Sequence, residues 1–223
     1  MNKDMLIKAI SDILSLILNI MVMSIIAKNL GIFKYGVFSQ ITATTMILLP
    51  ILLIKLNTAS VRYFSEIIND KEKIKEKFLT ILLIVLFFTI VICMVMYSTR
   101  EFISLIIFNN AEYSNLIILT IIYIFVKVVL TYTIDFYRAI NKTRYSSFFS
   151  LMRLIIISAG IGILSHYKVN IESVLSVYIF SEAMLVLIML TVLFRGYFKN
   201  VVTSLGFSDL KKYFVYSLPL IPY

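Results

Sequence analysis

Residues 114–135 read SNLIILTIIYIFVKVVLTYTID. A helix that crosses a bilayer needs about 20 mostly apolar residues, and this stretch supplies them. It is not apolar all round. Projected at about 100° per residue, Thr120, Tyr123, Lys127, Thr131 and Asp135 share an arc of about 120°. A helix wrapped only by lipid gains nothing from such a stripe, so a polar face means a protein contact or a water-filled cavity. Lys127 lies near mid-span, where a charge facing lipid costs about 3 kcal/mol or more. The stretch therefore predicts a membrane helix that turns a cationic face inward.

The rest of the chain repeats the pattern. Apolar stretches of spanning length cover 5–28, 36–60, 78–98, 114–135, 149–165 and 172–194, and a seventh begins at 213. The predicted fold is an all-α polytopic membrane bundle, with six complete spans and the start of a seventh. Residues 1–200 form the bundle, and 201–223 a linker and the cut start of a second bundle. Composition agrees: 61% of the 223 residues are apolar and 15% charged, against about 25% charged in a soluble domain. Neither a soluble domain nor a disordered chain fits those figures. The first stretch has no small-residue cleavage site and does not read as a signal peptide. One cysteine, Cys93, and one histidine, His166, provide neither a disulfide framework nor a metal cluster.

Net charge is +9, and its placement explains it. Lys3 and Lys8, the loop from Arg62 to Lys77, then Arg138, Lys142 and Arg144, and finally Arg195, Lys199, Lys211 and Lys212 all fall on one side. Only Lys28, Lys34, Arg100 and Lys168 fall on the other. Basic residues collect in cytoplasmic loops, so the amino terminus is expected in the cytoplasm. The charge is topology, not a nucleic-acid surface. The segment 102–108, FISLIIF, is too short to cross and belongs at the outer interface or extends a span.

Three other spans carry stripes, and the sixth is less ordered. Lys8, Ser11, Asp12, Ser15 and Asn19 share about 100° of the first. Gln40, Thr44, Lys55, Thr58 and Arg62 share about 60° of the second, if any bend at Pro50 is ignored. Ser146, Ser150, Arg153 and Gly160 share a face of the fifth, and Tyr178 and Glu182 are one turn apart on the sixth. The third has no stripe and reads as peripheral. Each buried charge has a bland alternative. Lys55 and Arg153 can snorkel to the interface, Asp12 can pair with Lys8 one turn away, Asp135 can pair with Arg138, and Lys127 can form a buried ion pair with Glu182. Gly160 and Gly162 allow close helix approach.

Short motifs add a resemblance. Leu30-Gly31 followed by Tyr35-Gly36-Val37-Phe38-Ser39, then Ser60-Val61-Arg62-Tyr63-Phe64, Tyr137-Arg138-Ala139-Ile140-Asn141-Lys142 and Lys212-Tyr213…Ser217-Leu218-Pro219…Pro222 follow in order along the chain. This order resembles the polysaccharide flippases of O-antigen and teichoic-acid type, within the multidrug/oligosaccharidyl-lipid/polysaccharide exporter superfamily. The resemblance implies two six-helix bundles, alternating access about a cationic cavity, and no cofactor. The implied cargo is an undecaprenyl-pyrophosphate-linked oligosaccharide, crossing the bacterial cytoplasmic membrane and passed on to polysaccharide polymerase machinery. Lys127, Lys55, Arg62 and Arg153 are the expected cargo-binding residues, and Asp12 and Glu182 the ion-coupling candidates. The family's chains are roughly twice this long, and this one stops about ten residues into a span, too few to cross. It is therefore expected to be an amino-terminal half.

Two other functions compete. A drug exporter of the same superfamily predicts cavity acids outweighing bases, whereas Lys55, Lys127 and Arg153 here balance Asp12, Asp135 and Glu182. A membrane glycosyltransferase needs a catalytic acid, but the short outer loops at about 29–35, 99–113 and 165–171 offer only Glu101 and Glu112 and no paired-carboxylate motif. No enzymatic activity is expected.

Overall fold

The computed structural model describes residues 3–110, 113–202, 206 and 210–217. These are helical: α1 (Lys3–Leu53), α2 (Leu56–Phe64), α3 (Lys71–Ser98), α4 (Arg100–Phe108), α5 (Ser114–Ala139), α6 (Thr143–Leu164), α7 (Ile171–Val192), a π-helical turn (Leu193–Tyr197) and α8 (Leu210–Ser217). Leu218, Pro219 and Pro222 of the closing motif, and Glu112 of the outer loop, lie outside the described residues. Among the described residues, five helices are long and apolar enough to cross a membrane. Exposed apolar side chains such as Ile13, Leu16, Phe87, Met94 and Phe180 cover much of their outer surface. A surface this oily suits acyl chains and would associate in water.

The expected loop at 29–35 is absent. Helix continues on both sides of Gly31, which alone has non-helical angles, φ 74° and ψ 170°. A straight helix would hold Ile20 and Thr42 about 33 Å apart. Both line one cavity, so the halves 3–30 and 32–53 fold back on each other at Gly31. That region of φ and ψ is open essentially to glycine alone.

A second break lies beyond Pro50. The helix runs through the proline and ends three residues later at Leu53, after which Ile54 and Lys55 adopt left-handed angles, φ 49° and 50°. The Ile54 N–H bonds the Ile51 carbonyl at 3.1 Å and the Lys55 N–H bonds the Pro50 carbonyl at 3.3 Å. That is a Schellman ending, which satisfies the last carbonyls and closes the helix. The second span's projected stripe assumed an unbroken helix. The turn at 54–55 redirects the chain, so Lys55, Thr58 and Arg62 do not continue the face of residues 35–49.

Two apolar cores fill the bundle. One joins the end of α1 and α2 to α3, the later half of α5, the end of α7 and Tyr213. The other joins the two halves of α1 around Gly31 to α4, the early half of α5, and the facing parts of α6 and α7. Tyrosine hydroxyls tie helices together: Tyr132 donates to the Phe78 carbonyl at 3.1 Å and Tyr137 to the Met189 carbonyl at 3.0 Å. At Gly160, a Cβ would lie 2.7 Å from Val177 Cγ1, so this glycine lets α6 and α7 close on each other; Gly162 meets nothing within 4 Å. α3 contributes no residue to the cavity. It packs on α5 through Phe78, stacked on Tyr132 at 5.5 Å, and Thr80 and Thr89 bond carbonyls of their own helix.

Candidate functional site

Three charged side chains meet where the two cores adjoin. Lys127 lies between Tyr123 of one core and Val128 of the other. Arg153 lies between Phe149 and Ile157, and Glu182 between Tyr178 and Leu185, in the same way. Each charge lies at the junction between the two cores, so the three share one level of the bundle. α5, α6 and α7 thus each deliver one ionic group to a single layer.

Lys127 Nζ donates to Glu182 Oε1 at 2.6 Å. Arg153 Nε stands 3.2 Å from the same oxygen, without the alignment of a hydrogen bond. Glu182 Oε2 is buried with no hydrogen-bond partner among the described residues. Side-chain exposure falls from 25% at Arg153 through 12% at Lys127 to 0% at Glu182. One anion is therefore shared by two cations through one of its oxygens, leaving a net positive charge. Such a cluster is held by mutual pairing, since any member alone would be a buried, uncompensated charge.

The two cations border a cavity of about 550 Å³. Its wall comes from both halves of α1, from α5, α6 and α7, and includes Asn19, Tyr35, Thr42, Thr45, Tyr123 and Tyr178 beside Lys127 and Arg153. Glu182 is behind the cations and not part of the lining. Lys127 Nζ also stands over the Tyr123 ring at 5.6 Å, and Tyr123 meets Tyr178 edge-on at 6.1 Å. The wall is thus cationic and aromatic on the α5–α7 side, whereas on the α1 side hydroxyl and amide groups alternate with apolar ones such as Ile20, Met23, Met46 and Leu49. This arrangement can hold a polar anion, with charge from α5 and α6.

The other expected site residues lie elsewhere. Asp12 is exposed near the start of α1, and it makes no ion pair with Lys8 among the described residues. Lys55 is half-buried in the turn after Leu53. Arg62 is on α2, its guanidinium 4.8 Å from the Tyr216 ring centre and 5.8 Å from that of Tyr63. It helps dock α8, where Tyr213 also meets Tyr63 at 5.0 Å. Asp135 pairs with Arg138 at 3.0 Å and accepts from Asn57 Nδ2 at 2.6 Å. Thr42 and Thr45 went unnoticed in the sequence. The spacing of Tyr35, Thr42, Thr45 and Leu49 sets them on one helix face, a signal hidden by the choice of Gln40 and Thr44 as the stripe.

A family described as "Polysaccharide biosynthesis protein" matches residues 1–222 of this chain. No curated protein and no solved structure matches it.

Proposed function

Since the chain belongs to the polysaccharide biosynthesis protein family, we propose that this membrane protein works as a flippase. Its cargo is a lipid-linked oligosaccharide with a diphosphate between lipid and sugar, moved across the bacterial cytoplasmic membrane by alternating access and then used by the polymerase machinery. The protein translocates this cargo and makes or breaks no covalent bond in it. The two halves of α1 are read as separate crossings, which with α3, α5, α6 and α7 makes six. The excess of Lys and Arg on one side sets the amino terminus in the cytoplasm.

The observation that carries this reading is the cavity wall with Lys127 and Arg153 together. A doubly charged diphosphate needs cations at low dielectric, and a guanidinium offers paired donors to phosphate oxygens. A volume of about 550 Å³ is in the ordinary range for a small-molecule site and suits a diphosphate and its first sugar. Hydroxyls of Tyr35 and Thr42 and the Asn19 amide, on the α1 side, suit the sugar. Lys55 and Arg62 stay outside this seat. Among the ion-coupling candidates, Glu182 is the one in contact with it, through Lys127 and Arg153, and Asp12 is not.

The test is depletion of the protein in its own cell. Lipid-linked glycan should accumulate on the cytoplasmic face of the membrane. Loss of dye efflux with normal glycan export would contradict the proposal and favour a small-molecule exporter.

A further inference from the structure

We infer that Glu182 is a built-in counter-ion that occupies the two cations of the cavity until an anionic cargo displaces it. This rests on the flippase reading and adds a control element to the same site. The carboxylate engages Lys127 at 2.6 Å and Arg153 at 3.2 Å through Oε1 alone. Its Oε2 is buried without a partner among the described residues. The cavity borders the cations and not the carboxylate. An anion entering there meets Lys127 and Arg153 from the open side, with Glu182 holding them from the closed side.

A group that served only to neutralise the cations would be expected to use both oxygens, because a half-satisfied buried carboxylate is costly. Holding by one oxygen keeps both cations charged and in position while leaving their other donors free to turn. Only an anion that supplies more acceptors than this one oxygen competes well. A diphosphate does so with two negative charges; a neutral sugar brings no charge to replace the carboxylate's, and a zwitterionic lipid offsets its single phosphate charge with its own cation. Glu182 thereby sets a threshold against weak anions. Tyr123 and Lys127 of α5, Arg153 of α6 and Tyr178 of α7 are the polar groups around it.

The experiment is titration of the purified chain in detergent with inorganic pyrophosphate, comparing wild type with Glu182→Gln and Glu182→Asp. Removing the competing charge should tighten binding about tenfold in Glu182→Gln, within the usual range of coupling between competing ligands. Its unfolding temperature should start lower than wild type and rise more when pyrophosphate is added. A purely structural glutamate would give the first change without the second. Glu182→Asp keeps the charge on a shorter arm and should tighten binding a few-fold, which preserves the test should Glu182→Gln not fold. Wild-type binding with no gain in either variant would overturn the counter-ion role and leave the flippase reading standing. No pyrophosphate binding by any of the three would overturn both.

Discussion

Lys127 and Glu182 are the residues on which most depends. Breaking a buried pair by removing one partner typically costs about 3–5 kcal/mol. Arg153 remains beside Glu182 when Lys127 is lost, so Lys127→Met should cost less than that range. Combined with Glu182→Leu in a double-mutant cycle, read from unfolding in detergent, the pair should show a coupling energy of about 0.5–3 kcal/mol. Additive losses would mean that the two side chains do not act together. Lys127 was legible in the sequence, because a lysine centred in a polar stripe has to face inward. Its pairing with Glu182 was one of two readings that one chain of letters leaves open. The structure joins them: the ion pair forms and the lysine still borders the cavity. Arg153 was expected at the cargo site with snorkelling as its alternative, because depth within a span is compatible with both; it borders the cavity.

Helix ends in this molecule are set by identifiable chemistry. Gly31 adopts angles barred to other residues, whereas Gly36 lies in regular helix with open space around it. Gly31→Ala should therefore destabilise the fold by about 1–3 kcal/mol, while Gly36→Ala should be neutral or gain up to about 1 kcal/mol; thermal unfolding of the two variants checks this. The start of α3 is capped by Asp70, whose carboxylate accepts the Lys73 N–H at 3.1 Å and pairs with the Lys73 ammonium. Those contacts hold the carboxyl below its ordinary value, the Lys73 backbone hydrogen bond contributing most. A lowered value stabilises the fold above the ordinary carboxylate range, and that contribution is lost as pH falls through the lowered value. The protection factor of the Lys73 amide, its exchange rate relative to the unprotected rate at the same pH, should fall on acidification in the wild type and lose this pH dependence in Asp70→Asn. A sequence stripe predicts such features only while the helix is unbroken. That is why the face through Gln40, Lys55 and Arg62 failed at the Ile54–Lys55 turn, two non-glycine residues in left-handed angles that no residue pattern announces.

The bundle as a whole was the most legible level, because 61% apolar content leaves few arrangements open to 223 residues. The positions of α3, α5, α6 and α7 follow the expected spans. The first two expected spans are one helical element folded at Gly31, since a single glycine can turn the chain where a longer loop was expected. What the sequence could not show was which stripes meet. α1, α5, α6 and α7 converge on the cavity and α3 does not, a result of packing between distant segments rather than of any local pattern. The central claim is that this cavity receives an anionic headgroup on Lys127 and Arg153. The direct measurement is glycan export in cells carrying Lys127→Glu at the wild-type level of membrane protein. Reversing that charge beside Glu182 should abolish export and leave lipid-linked glycan on the cytoplasmic face. Unchanged export at equal protein level would contradict the cationic site.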